Sequence, residues 1–248
     1  LTYVGLNSTL TNIGNSMFYG CTALSEITLP VGITSIGNYA FYGCSSLSTI
    51  NLPDTLASID YYAFGNCTGL ESITLPDSVT GISGRAFNNC SNLSSVTLPV
   101  GWNTVNVSYN YGSETPFRGC TKLTEIALPE GMTKVPEYAF SGCTSLTQVT
   151  LAESITEIGN SSFNGCTGLN TLELPDSLTT IGNYAFNDCT GITEITLPDS
   201  LTTIEDGAFQ GCTGLKSITI PNQITKIDPY VFYGCSGLIE VNLPETLV

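Results

Sequence analysis

The sequence predicts an α/β repeat solenoid, in which short structural units stack and each unit packs only on its neighbours. Ten cysteines divide the 248-residue chain at regular intervals, eight of 23 residues and one of 30. Hydrophobic residues also recur at fixed distances from each cysteine. A fixed period of this length is the sequence signature of repeat architectures. The cysteines are Cys21, Cys44, Cys67, Cys90, Cys120, Cys143, Cys166, Cys189, Cys212 and Cys235.

Each unit contains one predicted strand. Hydrophobic residues stand six and eight positions after each cysteine, as Ile195 and Leu197 do after Cys189, with a polar residue between them. This alternation is typical of a strand with one buried face. Proline follows the strand in nine of ten units, with Ala152 as the exception. Proline ends the strand because its nitrogen cannot donate to a ladder. Stacked copies are predicted to form one parallel β-sheet.

A short helical turn is predicted on the side opposite the sheet. Phenylalanine precedes every cysteine by three residues, the spacing of one helical turn, which places both side chains inward. Gly, Asn or Asp directly precedes every cysteine, and these residues tolerate a positive φ best. We therefore expect the turn to end there in a left-handed conformation. Trp102 lies in an apolar column and is predicted to belong to the core.

Two interpretations apply to the cysteines. Stacked copies would bring neighbouring Cα atoms within about 5 Å of each other, which a disulfide can span. However, stacked Cβ atoms point the same way and stay farther apart than the roughly 3.8 Å that a disulfide prefers. This favours a buried ladder of free thiols that act as small apolar groups. No Cys-x-x-Cys pair or histidine is present, so we expect no metal site.

The composition excludes several classes of function. The chain has 21 acidic residues, six basic residues and no histidine, so its formal charge is −15. Nucleic acid and anionic membrane surfaces are therefore poor partners, because both require Lys and Arg to neutralise phosphates. No apolar run is long enough for a transmembrane helix. There is also no nucleophile motif or phosphate-binding loop, so we expect no catalysis and no cofactor.

The ends and one enlarged unit define the organisation that we expect. Residues 1–248 are predicted to form a single array of ten units, with partial repeats at both ends and a seven-residue insertion within 105–116. Solenoids normally carry polar caps over the open core. Neither end has one, so we expect the chain to be a fragment of a longer protein.

The columns resemble those of the BspA-like (TpLRR) class of leucine-rich repeat. Its pattern, Leu-x-x-Ile-x-Leu-Pro-x-x-Leu-x-x-Ile-Gly-x-x-Ala-Phe-x-x-Cys, is met almost letter for letter by residues 169–189. The chain departs from the pattern at Ala152, at Pro116 in the alanine position, and in the enlarged unit. The resemblance implies a right-handed solenoid. It also implies a non-catalytic, surface-displayed protein of bacteria or parasitic protists that adheres to host proteins, host cells or other microbes.

Two surfaces are candidate binding sites. The outward strand positions form an extended face, and the Thr-rich composition of this face is equally explained by β-propensity. Its candidate residues are Glu26, Glu125, Gln148, Glu173, Glu194 and Glu240. The insertion carries Tyr109 and Tyr111, and insertions map to loops, which often carry function.

A column of acidic residues follows the prolines. Its members are Asp54, Asp77, Glu130, Glu153, Asp176, Asp199 and Glu245. Stacked carboxylates could recruit calcium or a basic partner. Alternatively, these are turn residues whose side chains bond nearby backbone N–H groups, and we favour this interpretation.

The sequence therefore favours an extracellular or cell-surface adhesion module. We expect it to act as a monomer that binds a protein or glycan ligand on a host or microbial surface, without membrane insertion. The alternative is a structural spacer that holds another domain of a longer protein away from the surface.

Overall fold

The computed structural model describes residues 2–102, 104–106 and 115–247. These residues fall into two compact units, Leu1–Thr124 and Glu125–Val248. Each unit is built of stacked coils, and strands of successive coils pair in parallel with an offset of 23 residues. The regular spacing of the cysteines therefore corresponds to one coil per repeat.

In unit 1, one set of strands lies before the proline position and a second set lies after it. The first set comprises β1 (Tyr3–Gly5), β3 (Glu26–Thr28), β6 (Ser72–Thr74) and β8 (Ser95–Thr97). The second set comprises β2 (Asn12–Ile13), β4 (Ser35–Ile36), β5 (Ser58–Ile59), β7 (Gly81–Ser83) and β9 (Thr104–Asn106). In the first set, β1 pairs with β3 and β6 pairs with β8; in the second, the order is β2-β4-β5-β7-β9.

Unit 2 repeats this arrangement. The first set comprises β10 (Glu125–Ala127), β12 (Gln148–Thr150), β14 (Thr171–Leu172), β17 (Ser217–Thr219) and β18 (Glu240–Asn242). The second set comprises β11 (Lys134–Val135), β13 (Glu157–Ile158), β15 (Thr180–Ile181) and β16 (Thr203–Ile204). Pairing runs β10-β12-β14 and β17-β18 in the first set, and β11-β13-β15-β16 in the second. We call these two sets the first and second ladder.

The second ladder corrects the prediction of one sheet. Its strands are only two or three residues long, and isoleucine or valine side chains from them face the core, as those of Ile36 and Ile59 do. Around them, the amide of Thr34 donates to Thr11 O at 2.8 Å and that of Gly37 donates to Ile13 O at 2.9 Å. Ser, Thr and Ile suit an extended, half-buried backbone, so this segment pairs between coils as the first ladder does.

The predicted helical turn is also wrong, because no helix forms among the described residues. Between Gly37 and Cys44, alternate amides bond in different directions. The amides of Phe41 and Gly43 donate to the next coil, at Ala63 O and Gly65 O, at 2.7 and 2.8 Å. The amides between them donate to the carbonyl three residues back and so close four-residue turns within the coil. An α-helix needs every amide to bond four residues back, so the inter-coil bonds replace it with a chain of turns.

The left-handed residue before each cysteine is confirmed. All ten positions have a positive φ, between 56° and 78°. They are Gly20, Gly43, Asn66, Asn89, Gly119, Gly142, Gly165, Asp188, Gly211 and Gly234. A second left-handed position, five residues before the cysteine, is occupied in most coils by residues such as Tyr39, Arg85 and Ser161. In those coils, two such residues turn the backbone away from a helical path.

The core contains the predicted Phe and Cys columns. Phenylalanine rings of neighbouring coils stack with centroids 5.2 to 5.3 Å apart from Phe18 to Phe117 in unit 1. In unit 2 the spacing is 5.4 to 6.1 Å from Phe140 to Phe232. Trp102 is 1% exposed and meets Phe117 edge-on, which confirms its place in the core.

The cysteines are free thiols, and they are more than apolar filler. The Cys67 thiol donates to Phe41 O of the preceding coil at 3.0 Å, and Cys166 donates to Phe140 O at 3.1 Å. Burial raises the pKa of the Cys166 thiol to about 12. The Cys166 thiol therefore stays protonated at neutral pH and serves as a donor between coils, in addition to filling space.

Candidate functional site

The outward face of the first ladder in unit 2 gathers several of the predicted binding residues. Glu125 is in register with Gln148, Gln148 with Thr171, and Ser217 with Glu240. In β10 and in β12, the central residue is buried and the residues on both sides of it are exposed. Side chains one coil apart therefore project side by side into solvent.

Three shallow hollows lie along this face. Their volumes are about 270, 210 and 330 Å³ in chain order. The first is lined by residues of 148–153 and 173–176, the second by residues of 172–176 and 194–198, and the third by residues of 194–199 and 217–221. Glu173 lines the first two hollows and Glu194 the last two, so the hollows form a continuous series over neighbouring coils. We call this series the acidic face.

Carboxylates from two columns meet on the acidic face. Glu173 directly follows β14, and Glu194 lies in the corresponding segment of the next coil, whereas Glu153, Asp176 and Asp199 come from the column that follows the proline position. The residues that line the hollows include five carboxylates and no Lys or Arg. In the sequence these are two separate columns, five or seven residues and ten residues after each cysteine. Because both are exposed and flank the same proline position, this spacing could have predicted that they meet on one surface.

Formal charge is distributed unevenly between the units. Residues 1–124 contain six acidic and three basic residues, a net charge of −3. Residues 125–248 contain fifteen acidic and three basic residues, a net charge of −12. Most of the negative potential of the chain therefore originates in unit 2, the unit that carries the acidic face. Such a potential draws cationic partners toward it.

The column after the proline has a structural role at two of its positions. Asp77 Oδ1 accepts a hydrogen bond from Val100 N at 3.1 Å, and Glu130 Oε1 accepts one from Glu153 N at 3.2 Å. In both cases the amide belongs to the next coil, where the turn interpretation expects a nearby backbone N–H. These carboxylates thus tie adjacent turns together. Across residues 2–102, 104–106 and 115–247, no three Asp, Glu or Cys side chains are grouped to hold a metal ion.

The remaining predicted site residues lie apart from the acidic face. Glu26 is exposed on β3 of unit 1, in register with Tyr3. Tyr109 and Tyr111 lie outside the described residues. No helix in the described part of the chain is long and apolar enough to cross a membrane.

Comparison with known proteins agrees with this architecture. The family described as BspA type leucine rich repeat region matches residues 1–115 and 112–239, in six copies. No curated protein is significantly similar to the chain.

Solved structures of bacterial proteins are similar as well. A leucine-rich repeat protein from Bacteroides ovatus is 29% identical with a TM-score of 0.60, over 100% of this chain and 74% of its own. The T. pallidum leucine-rich repeat protein (TpLRR) is 26% identical with a TM-score of 0.52, over 71% of each chain. The family match covers most of the chain, and the repeat pattern runs through the same residues. The chain belongs to the BspA type leucine-rich repeat family.

Proposed function

We propose that this chain is a non-catalytic protein-interaction module of an extracellular or cell-surface protein, and that it adheres to a basic protein through the acidic face. Membership of the family supports the general role, because leucine-rich repeats are interaction scaffolds. The specific partner chemistry rests on one observation: five carboxylates and no basic side chain line three adjoining hollows in unit 2.

The chemistry of the acidic face determines what kind of binding it supports. Exposed charges contribute little affinity individually, about 0.2 to 1 kcal/mol per pair, but they accelerate encounter and exclude partners of the same sign. The Trp, Tyr and Arg anchors that dominate tight interfaces are missing from the lining of the hollows. We therefore expect a salt-sensitive interaction in the micromolar range. A partner with Lys or Arg side chains spaced along an extended segment would fit the series of hollows best.

The test is binding of the whole chain to an array of extracellular-matrix proteins and host cells, with and without calcium. Binding to basic members is measured at 50, 150 and 500 mM NaCl. The key variant is Glu173→Gln with Glu194→Gln, because these two residues link the hollows. The matched control is Glu26→Gln with Glu71→Gln, which removes the same charge from exposed positions in unit 1.

We expect the Glu173/Glu194 variant to weaken binding about 3- to 10-fold at 150 mM NaCl, with two rim charges each contributing within the usual range. The control should change binding much less. Equal losses in both variants would mean that only net charge matters, and the acidic face would then not be the site. A response that depends on calcium would instead support cation capture by the column after the proline.

The second candidate is a spacer that holds another domain away from a surface. It is favoured by the regularity of the coils, which provide length without requiring any side chain to bind. Replacing the chain by an equally long array of unrelated repeats would preserve the function of a spacer and abolish that of an adhesion module. Glu125, Gln148, Glu240, Glu26 and the insertion residues Tyr109 and Tyr111 remain proposals for additional contacts. Alanine variants of the two tyrosines, measured on the same array, would test the insertion.

A further inference from the structure

A cluster of five tyrosines lies on the turn side of unit 1, away from both ladders. We call it the tyrosine cluster; its members are Tyr19, Tyr39, Tyr42, Tyr61 and Tyr62. Tyr19 is 57% exposed, and the other four are partly exposed. Eight of the twelve tyrosines of the chain fall within residues 1–124, whereas most of the charge falls in residues 125–248. The two units thus present different surface chemistry.

The rings form a rigid, interlocked arrangement. Tyr19 stacks on Tyr42 with centroids 5.0 Å apart, and Tyr39 stacks on Tyr62 at 5.2 Å. The two stacks meet edge-to-face, with Tyr39 and Tyr42 at 5.5 Å and Tyr42 and Tyr62 at 5.7 Å. Gly65 makes room for them, because a Cβ there would lie 2.5 Å from Tyr62 Cδ1 and 2.9 Å from Tyr42 Cδ2. Rings held in this way need little further ordering to bind a ligand.

Two phenols of the cluster have a defined orientation. Asn66 Nδ2 donates to the Tyr42 hydroxyl at 2.6 Å, and Arg85 Nη1 donates to the Tyr62 hydroxyl at 2.6 Å. Each phenol oxygen is therefore an acceptor within the protein. Its own hydrogen must point elsewhere, toward an acceptor outside these two bonds. The cluster thus combines aromatic surface with two anchored phenols whose hydroxyl hydrogens are left to donate.

Charge narrows the choice of ligand. The Arg85 guanidinium carbon already lies over the Tyr62 ring, 5.5 Å from its centroid, so this ring face is occupied by a cation. A net charge of −15 repels polyanions at long range. Polycations are drawn instead to unit 2, where twelve of those charges originate. A neutral ligand rich in hydroxyl groups is the class that neither effect disfavours.

We propose that the tyrosine cluster is a binding site for a neutral polysaccharide. The C–H groups on one side of a sugar ring carry partial positive charge and pack on the negative face of an aromatic ring; Tyr19 offers the most exposed ring. Sugar hydroxyl and ring oxygens accept hydrogen bonds from the oriented phenols of Tyr42 and Tyr62. This site is separate from the acidic face and does not depend on the protein partner proposed for it.

The test is native affinity electrophoresis of the whole chain in gels that contain mannan, dextran or galactan. Polygalacturonate serves as the anionic comparison. The variant Tyr19→Ala with Tyr42→Ala removes one stack. The control, Tyr230→Ala with Tyr233→Ala, removes an exposed edge-to-face pair in unit 2 from the columns that hold Tyr39 and Tyr42 in unit 1. Tyr42→Phe keeps the ring and removes the hydroxyl, which is both the proposed donor and the acceptor of the Asn66 bond. Near-ultraviolet circular dichroism and melting temperature establish that each variant is folded.

We expect retardation by at least one neutral polysaccharide, unchanged between 50 and 500 mM NaCl. The Tyr19/Tyr42 variant should weaken it at least 10-fold, Tyr42→Phe about 3-fold because it loses one neutral hydrogen bond, and the control not at all. The proposal is overturned if no neutral polysaccharide retards the chain, if polygalacturonate retards it more, or if the control loses as much binding. It is also overturned if the Tyr19/Tyr42 variant loses only a protein ligand from the matrix array. Failure of the acidic face is a separate outcome. Binding to that face is sensitive to salt and depends on Glu173 and Glu194, whereas polysaccharide binding is insensitive to salt and depends on Tyr19 and Tyr42.

Discussion

Ser162 provides a direct test of how the turn side of the coil is stabilised. It occupies the column that holds Ala139 and Ala185 in the neighbouring coils, and all three residues are fully buried. The backbone is equivalent at each position, where the amide closes a local turn. The carbonyls of Ser162 and Ala185 each accept a hydrogen bond from the phenylalanine amide of the preceding coil, at 2.8 and 2.9 Å. Only the Ser162 hydroxyl differs, and it has no hydrogen-bond partner among the described residues.

The magnitude follows from this comparison. A buried hydroxyl without a partner costs about 1 to 3 kcal/mol, whereas alanine at the same place loses no hydrogen bond and leaves a space of only one oxygen atom. Ser162→Ala should therefore raise the free energy of unfolding by about 1 kcal/mol. For a chain of this size, that is a rise of about 2 to 4 °C in melting temperature. Ala185→Ser, the reciprocal change one coil later, should lower stability by a similar or larger amount.

Urea denaturation followed by far-ultraviolet circular dichroism measures both variants. Because repeat arrays can unfold in parts, the urea dependence of the transition must be the same in all proteins before stabilities are compared. Destabilisation by Ser162→Ala, together with no loss in Ala185→Ser, would refute the reasoning. It would mean that this column tolerates a hydroxyl, and that packing alone decides which residue it accepts.

Three further predictions concern the core and its packing. Phe64→Ala should cost about 3 to 5 kcal/mol in urea melts because it removes a ring stacked on both sides, at 5.2 and 5.3 Å; Phe64→Leu should cost clearly less. Burial raises the pKa of the Cys166 thiol to about 12 from an ordinary value of 9.0. A raised pKa means that its contribution is complete below pH 9 and is lost as pH rises toward 12, by about 1.4 kcal/mol per pH unit. Stability measured at pH 8 to 10.5 should fall less steeply in Cys166→Ala; an identical slope would contradict this. Gly207→Ala should destabilise because its new Cβ would overlap the Tyr184 ring, and the loss should shrink in a Tyr184→Ala background; equal losses in both backgrounds would assign the cost to the backbone.

Residue columns predict most of the core because the same side chain recurs at the same place in every coil. The inward Phe and Cys, the buried Trp102 and the left-handed residue before each cysteine all follow from intrinsic properties of the residues concerned. The second left-handed position could not be predicted in this way. Tyr39 and Arg85 have φ values of 56° and 59°, although neither residue type favours that region. Hydrogen bonding between coils imposes this conformation. The three-residue spacing of phenylalanine and cysteine lies within one coil and therefore cannot predict it.

The binding surfaces, too, can be predicted from the sequence only in part. Exposure of Glu173 and Glu194 follows from the alternation of polar and apolar residues, which the sequence contains. Their meeting with Asp176 and Asp199 in shared hollows depends on where the chain turns after each proline. The tyrosine cluster depends on contacts between columns as well, because Tyr39 of one coil stacks on Tyr62 of the next while Tyr42 meets both of these rings edge-on. The residues of one column do not predict which residues of another column they will contact.

The enlarged repeat shows why this fold can change its surface without losing its core. On the N-terminal side of the insertion, β7 and β9 keep the normal offset of 23 residues. On its C-terminal side, the amides of Arg85 and Phe87 still donate to Thr115 O and Pro116 O, at 3.0 and 2.9 Å. Pro116 can replace alanine because this column serves the preceding coil through its carbonyl, and proline lacks only the amide that closes the local turn. The pairing of β7 with β9 and the stacking of Phe87 on Phe117 are thus both kept in the enlarged repeat. Loops at this point are therefore free to diversify, while the acidic face and the tyrosine cluster keep the geometry on which their proposed binding depends.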